Sequence, residues 1–416
     1  MKRRHFLKTA VGVTAPLVIP RHVLAAPGQP GANDRILAGV IGVGSRIRTV
    51  IGETPADVKV VALGDCNLAR MQDDLWGVPA GSRYQDYRQM LDKEKLDAVF
   101  VGTTTHARAL CCIHAVQAGL DVYAEKALTL TIEEGQVLVK AVRKHQRVLQ
   151  VGTQARSMIL DKWAYEFIRN GGLGKIEKVV GLNFIGPRRW TNEPGQPVPE
   201  GLDWDQWCNQ AALHPYHPNL HRGWATWWDF DGGGQSWGVT GWGTHSYDII
   251  QASLGADYTG PVEVWAVKPG DAMSPVTMRY ADGVVLELRL PQGHGPAWGA
   301  IFLGEKGKIE TNRNRCVSNP PELVADQPEA DYEWGVTRPH LENWIHCMRT
   351  RQRPLADVEI AHRSHTICHL VNIARDLGRR LRWNPDREVF VGDDEANRHP
   401  SVTRPRRKGY ELPEIT

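Results

Sequence analysis

Ile36-Leu37-Ala38-Gly39-Val40-Ile41-Gly42-Val43-Gly44-Ser45-Arg46 is the stretch on which the fold turns. Its opening residues form an unbroken apolar run, the pattern of a strand buried on both faces of a parallel sheet. Gly42 permits a tight turn. Gly44 lets backbone approach a pyrophosphate at the positive N-terminus of the next helix, which opens with Ser45 and Arg46. Ile47 stands where the third glycine of a GxGxxG fingerprint allows close helix-to-strand packing, and this departure weakens the motif. A second apolar strand, Val58 to Leu63, leads into Gly64-Asp65, and Asp65 lies 21 residues beyond Gly44. A carboxylate about 20 residues past the fingerprint accepts hydrogen bonds from ribose hydroxyls and repels a 2′-phosphate, which favours NAD over NADP.

Strand and helix patterns alternate onward: Asp97 to Gly102, a helix from His106 to Gly119, Asp121 to Ala124, a helix through Thr131 to His145, then Val148 to Val151. This is an α/β arrangement, a doubly wound Rossmann sheet of parallel strands with crossover helices, expected over 35–154. Upstream, Lys2-Arg3-Arg4 precedes a short apolar run and the small-residue site Leu24-Ala25-Ala26. The order reads as a twin-arginine signal over 1–26, followed by a linker over 27–34. Its apolar run is too short and too proline-broken to span a bilayer, which takes about 20 apolar residues. The expectation is export to the periplasm without a membrane anchor, by a route that carries folded protein and suits a cofactor acquired beforehand.

The net charge of +3 is thinly spread, so no nucleic-acid footprint is expected. The basic stretch Arg404 to Lys408 reads as part of a solvated tail, 391–416. Seven scattered cysteines without a CxxC pair leave room for one bridge but not for a disulfide scaffold or a zinc site. His365 and His369 share a helical face with His362 nearby, but no third ligand is fixed by local spacing, so no metal is expected.

GTTTHARAL (Gly102 to Leu110) and DVYAEKALTLTIEEG (Asp121 to Gly135) closely resemble the Gfo/Idh/MocA oxidoreductases, which show ATPxHxxxA and EKPLxxxxxE motifs here. GTQARS, DWDQW, GGGQ, WGTHSYD and LGEKGKI, in that order, resemble the family's exported bacterial branch. The resemblance implies a C-terminal substrate domain, 155–390, built on an open, mostly antiparallel sheet. That sheet's outer face is a common dimerisation surface, so a homo-oligomer is expected. Val179 to Phe184, Val262 to Val267, Val276 to Tyr280, Val284 to Leu290 and Ile301 to Leu303 are the strand candidates, with helices over Pro339 to Thr350 and Val358 to Leu381 returning towards the first domain.

By the same resemblance, Thr103, His106, Glu125, Lys126 and Gln154 join Gly42, Gly44, Ser45, Arg46 and Asp65 around the cofactor. Lys126 matches the lysine beside the nicotinamide, where an ammonium stabilises developing alkoxide charge. Ala127 replaces the usual proline, with the expectation that the loop is repositioned. His245 matches a histidine suited to general-base work. Asp248, one turn on, orients it or meets substrate. Arg108 contacts an acidic group or caps a helix, and Arg156 lines the cleft. The family's acid four residues before the histidine is absent: that position is Gly241, leaving Asp229 or Asp231 as substitutes. Trp228 and Trp242 belong to a tryptophan-rich stretch suited to stacking on a carbohydrate, beside core-packing roles for others. Three functions follow: an NAD-dependent oxidoreductase acting on a secondary alcohol of a sugar, with retained cofactor; a glycoside hydrolase or lyase working through transient oxidation; or a non-catalytic sugar-binding relative.

Overall fold

A computed structural model describes residues 35–72, 75–330 and 337–416; the twin-arginine segment lies outside them. Six strands, β1 (Ile36–Ile41), β2 (Val58–Gly64), β3 (Arg83–Tyr84), β4 (Ala98–Val101), β5 (Asp121–Ala124) and β6 (Leu149–Val151), form one sheet in the order β3-β2-β1-β4-β5-β6. Every pairing in it is parallel. The apolar runs of β4 and β5 are buried throughout, as helices on both faces require.

The turn after β1 depends on two glycines. Gly42 has φ +82°, and a Cβ there would lie 2.7 Å from the Thr103 backbone nitrogen. Gly102, just past β4, resolves the departure at Ile47. A Cβ on Gly102 would sit 2.7 Å from the Cβ of Ile47, so the missing side chain has moved from helix to strand end. Close packing is kept with the partners exchanged.

The second sheet has nine strands: β7 (Ile176–Leu182), β8 (Glu263–Ala266), β9 (Val276–Arg279), β10 (Val285–Leu290), β11 (Ile301–Gly304), β12 (Gly307–Asn312), β13 (Arg315–Asn319), β14 (Leu381–Asn384) and β15 (Val389–Phe390). Their order is β13-β12-β11-β7-β10-β9-β8-β14-β15, and only β7 and β10 pair in parallel. Helix Trp242–Ser253 and helix Val358–Leu377 cover the inner face, burying Tyr247, Ile250, Ile367 and Leu370 with Val179, Leu286 and Leu288. The second helix ends at Leu377, earlier than its apolar pattern suggests, because Gly378 takes φ +61° and the chain turns into β14. Helix Arg338–Thr350 packs beneath the first sheet, where Trp344 meets Phe100 and Tyr123.

The C-terminal segment is not a solvated tail. Arg406 Nη1 pairs with Glu133 at 2.8 Å, Arg404 Nη1 donates to Trp228 O at 2.8 Å, and Leu412 and Ile415 pack on the Rossmann core. The basic residues meet fixed acceptors on two elements distant in sequence. All seven cysteines are unbridged, and no described helix is long and apolar enough to cross a membrane.

If Gly102 and Ile47 are complementary, Gly102→Ala lowers stability by about 1–3 kcal/mol through overpacking. The loss shrinks in an Ile47→Gly background, which removes the Cβ that the new methyl would meet, a coupling that a double-mutant cycle of denaturant melts measures.

Candidate active site

The carboxyl ends of β1, β2, β4 and β5 open on one cavity of about 420 Å³, within the size range of ligand pockets. Gly42, Gly44, Ser45 and Arg46 line its centre, with Asp65 towards one end and Glu125 and Lys126 towards the other. Asp65 Oδ2 accepts from Val43 N at 2.7 Å and Oδ1 from Asn67 N at 2.8 Å. Each carboxylate oxygen keeps further acceptor capacity. Burial raises the Asp65 pKa, while the Asn67 and Val43 amides and the nearby Arg70 oppose that shift. Thr103 Oγ1 is a buried hydroxyl of the cavity lining with no partner among the described residues. Bare backbone at two glycines, a held carboxylate and an unpaired hydroxyl suit a dinucleotide. Arg46 closes the floor, with Nε 3.1 Å from Glu125 Oε1 and Nη2 donating to Thr337 Oγ1 at 3.2 Å.

Lys126 follows β5, and its Nζ donates to Gly241 O at 3.2 Å. Burial lowers its pKa, opposed by the charges of Glu125 and Asp231. The Lys126–Ala127 peptide is cis. The loop that carries it is held from several sides: Arg108 donates to Ala127 O and Thr103 O, His365 Nε2 accepts from Leu128 N at 2.8 Å, and His369 Nε2 lies 3.3 Å from Thr129 Oγ1. Arg108 therefore meets carbonyls, neither an acidic group nor a helix cap. His362 pairs separately with Glu388 at 2.6 Å.

Gly241 cannot carry the absent acid. A Cβ there would lie 1.8 Å from Gln235 O, so the loop before helix Trp242–Ser253 fills that space with backbone. The nearby carboxylate is Asp231, which is fully buried. It accepts from Thr105 Oγ1 at 2.5 Å and from Thr240 Oγ1, and its charge is coupled to Lys126. Asp229 turns away to His214, at 3.2 Å. His245 stacks on Trp298 at 3.8 Å with an 18° interplanar angle, and its Nδ1 has no partner among the described residues. Burial, reinforced by the Lys126 and Arg313 charges, holds the His245 pKa well below the ordinary imidazole range, so the ring is neutral.

Residues 36–153 match the oxidoreductase family's NAD-binding Rossmann fold, and residues 175–412 match its C-terminal alpha/beta domain. The chain belongs to the Gfo/Idh/MocA oxidoreductase family. Among curated relatives it is 26% identical over 227 residues to a glycosyl hydrolase family 109 protein of Stenotrophomonas maltophilia, covering 49% of this chain and 47% of that one. It is 28% identical over 126 residues to an inositol 2-dehydrogenase of Salmonella typhimurium, covering 29% and 37%. The chain spans less than half the length of the first curated relatives it matches. The fold is similar to that of the WlbA dehydrogenase from Bordetella pertussis, solved with NADH and UDP-GlcNAcA: TM-score 0.60, 20% identity, 85% of this chain and 100% of that one.

Several residues singled out from the family's motifs stand elsewhere in this member. Asp248 is completely buried; Oδ2 pairs with Arg156 at 2.8 Å and Oδ1 accepts from Ser364 Oγ at 2.7 Å. Arg156 in turn reaches Asp257 at 2.8 Å. A buried guanidinium needs such carboxylates, and neither Arg156 nor Asp248 lines the cavity. His106 lies behind the cavity wall, with Nε2 2.7 Å from Trp207 O and burial lowering its pKa to about 4. Gln154 is also buried off the wall. Trp228 is buried, with the Arg189 and Arg404 guanidinium groups 4.8 and 5.2 Å from its ring, and it does not line the cavity. Trp242 is half-buried against Trp237, 4.3 Å between ring centroids, and leads through Trp298 to His245. Trp298, which sequence patterning did not single out, comes from the strand-poor stretch before β11.

Removing one partner of a buried ion pair leaves an unpaired charge, so Asp248→Ala costs about 3–5 kcal/mol of stability. Calorimetry checks this, and the soluble fraction is expected to keep wild-type affinity for NADH.

Proposed function

We propose that this chain is an NAD-dependent oxidoreductase that removes hydride from, or returns it to, a secondary alcohol of a sugar or sugar derivative. The observation that carries the reading is the Lys126 ammonium, fixed at the β5 end of the dinucleotide cavity, whose charge acts on a neutral His245 buried behind the cavity lining. Gly42, Gly44, Ser45 and Arg46 would hold the pyrophosphate, Asp65 the adenosine ribose, and Thr103 and Glu125 the remaining wall. NAD, when bound, supplies the acceptor for the hydride. Lys126 hydrogen-bonds the reacting oxygen and stabilises its negative charge as the C–H bond breaks, and His245 takes the hydroxyl proton. Asp231 supplies the negative charge near Lys126 that Gly241 cannot. Trp242 and Trp237, half-exposed, offer aromatic faces to the sugar ring on the way to His245. Pairing of two copies through the outer face of the nine-stranded sheet, and export of the loaded protein by the Lys2-Arg3-Arg4 leader, complete the reading.

A second reading draws on Gly241 and on the glycosyl hydrolase relative. Transient oxidation acidifies the neighbouring C–H, whose proton passes to a base as the protonated glycosidic substituent leaves and a double bond forms; water adds across it where the outcome is hydrolysis, and hydride returns to the carbonyl carbon. Products separate the two readings. Stoichiometric keto-sugar and NADH support the dehydrogenase, whereas released aglycone without net NADH supports elimination.

Lys126→Ala is expected to lower turnover by about 100- to 10,000-fold while NADH still binds, as followed by steady-state kinetics beside fluorescence titration. An undiminished rate would remove the basis of the proposal.

The pH profile carries a further expectation. His245 is active as the neutral base and has a depressed pKa, so kcat/KM for oxidation shows no acid limb near 6.5. Lys126 acts protonated and its pKa is also depressed, so activity falls on the alkaline side below the ordinary lysine value of 10.5. A His245-dependent limb at the ordinary imidazole pKa would contradict the buried placement of the base.

A further inference from the structure

The wall next to Asp65 is assembled from three distant parts of the chain. Gln85, Tyr87 and Arg88 come from the Rossmann domain, Gln206, Trp207 and Asn209 from the loop between β7 and helix Trp242–Ser253, and Tyr410 from the C-terminal segment. The parts are bonded to one another. Asp203 N donates to Cys66 O at 2.9 Å and Leu68 N to Gly201 O at 2.9 Å, docking the long loop beside Asp65. The Tyr410 hydroxyl donates to Asp205 Oδ2 at 3.0 Å. Arg407 pairs with the Asp205 carboxylate and donates to Asp205 O and Asn209 O, each at 3.1 Å. The Arg88 and Arg407 guanidinium groups lie 5.7 and 5.2 Å from the centroid of the Tyr410 ring, which is only 7% exposed.

We propose that Tyr410 is a cofactor-binding residue and that the 404–412 segment latches the adenosine end of the NAD cavity, so that the dinucleotide exchanges only when the segment lifts. Asp65 marks that end, because the carboxylate after the second strand takes the adenosine ribose. Tyr410 lines the cavity at this end, and with its hydroxyl engaged by Asp205 the part of the ring left to meet an adenosine is apolar. The anchoring is graded along the segment. Arg406 and Arg404 hold the base of the latch through Glu133, Gln210 and Trp228 O. At Arg407 the Asp205 side chain that pairs with it is 55% exposed, which weakens that ion pair, and beyond Tyr410 the segment is held again by Leu412 and Ile415 on the Rossmann core, so only the stretch around Tyr410 is free to lift. The inference needs the Rossmann domain to bind NAD but not the reaction proposed above, so a chain that binds NADH without oxidising any sugar tests it equally well.

The test is the rate at which bound NADH fluorescence is lost on chasing with excess NAD, for wild type, Tyr410→Phe, Asp205→Asn and Tyr410→Ala in the full chain. Tyr410→Ala is expected to release NADH about 10- to 100-fold faster, with Tyr410→Phe and Asp205→Asn falling between it and wild type. A Tyr410→Ala protein that is folded by circular dichroism and releases NADH within about twofold of wild type would overturn the proposal. Should Tyr410→Ala not fold, amide hydrogen exchange on wild type decides: NADH slows exchange across 404–412 if the segment is a latch, and leaves it unchanged if the segment is only structural.

Discussion

The buried guanidinium of Arg108 joins the backbone of Thr103, after β4, to that of Ala127, after β5. These two strand ends must diverge for a ligand to enter above them, yet stay registered for Lys126 to face it. A cation bridging two carbonyls meets both demands, because its planar fork fixes two acceptors at once and cannot be deprotonated. Its burial costs desolvation, opposed at longer range by the negative charges of Glu125 and Asp231. Those two carboxylates also tune Lys126. The electrostatics of the lysine and the geometry of its loop therefore rest on the same few charges.

Much of the nucleotide domain is legible in sequence because its determinants are local. Apolar runs are bounded by turns, Gly42 has a positive φ, and a carboxylate stands at fixed distance. Ile47 illustrates the limit. Its consequence depends on Gly102, 55 positions away, and no local pattern says that the second glycine faces the first helix. The second sheet is only partly legible. β7 to β11 carry β-branched alternation, whereas β12 (GKIETN) and β13 (RCVSN) are polar hairpin strands at the sheet edge, where one face is open and periodicity weak.

The candidate site separates in the same way. Residues tied to backbone turns, Gly42, Gly44, Asp65 and Lys126, stand on the cavity as their motifs imply. Residues inferred from side-chain type alone moved. In a string Asp248 looks catalytic and Arg156 looks like part of the cleft, but a buried acid and a buried base satisfy each other first, and the fold brings Ser364 and Asp257 to complete the set. The basic C-terminus misleads for the converse reason. A charge run reads as solvated only while its partners are unknown, and Glu133, Asp205 and the Trp228 carbonyl all lie far away in sequence.

Gly241 connects these observations. Its lack of a side chain is a packing requirement, because the Gln235 carbonyl occupies the volume a Cβ would need, and the loop that delivers this carbonyl also carries Asp231 and places Gly234 in the cavity wall. An acid at 241 and this loop path exclude each other. The same loop hands the Gly241 carbonyl to Lys126, which exchanges a charged neighbour for a neutral dipole and keeps the full charge of Asp231 behind two threonine hydroxyls. Burial raises the Asp231 pKa, opposed by the two threonine hydroxyls and by the Lys126 and Arg108 charges, and those hydroxyls engage both carboxylate oxygens. On the proposed reaction, proton removal falls to His245, whose Nδ1 has no partner among the described residues.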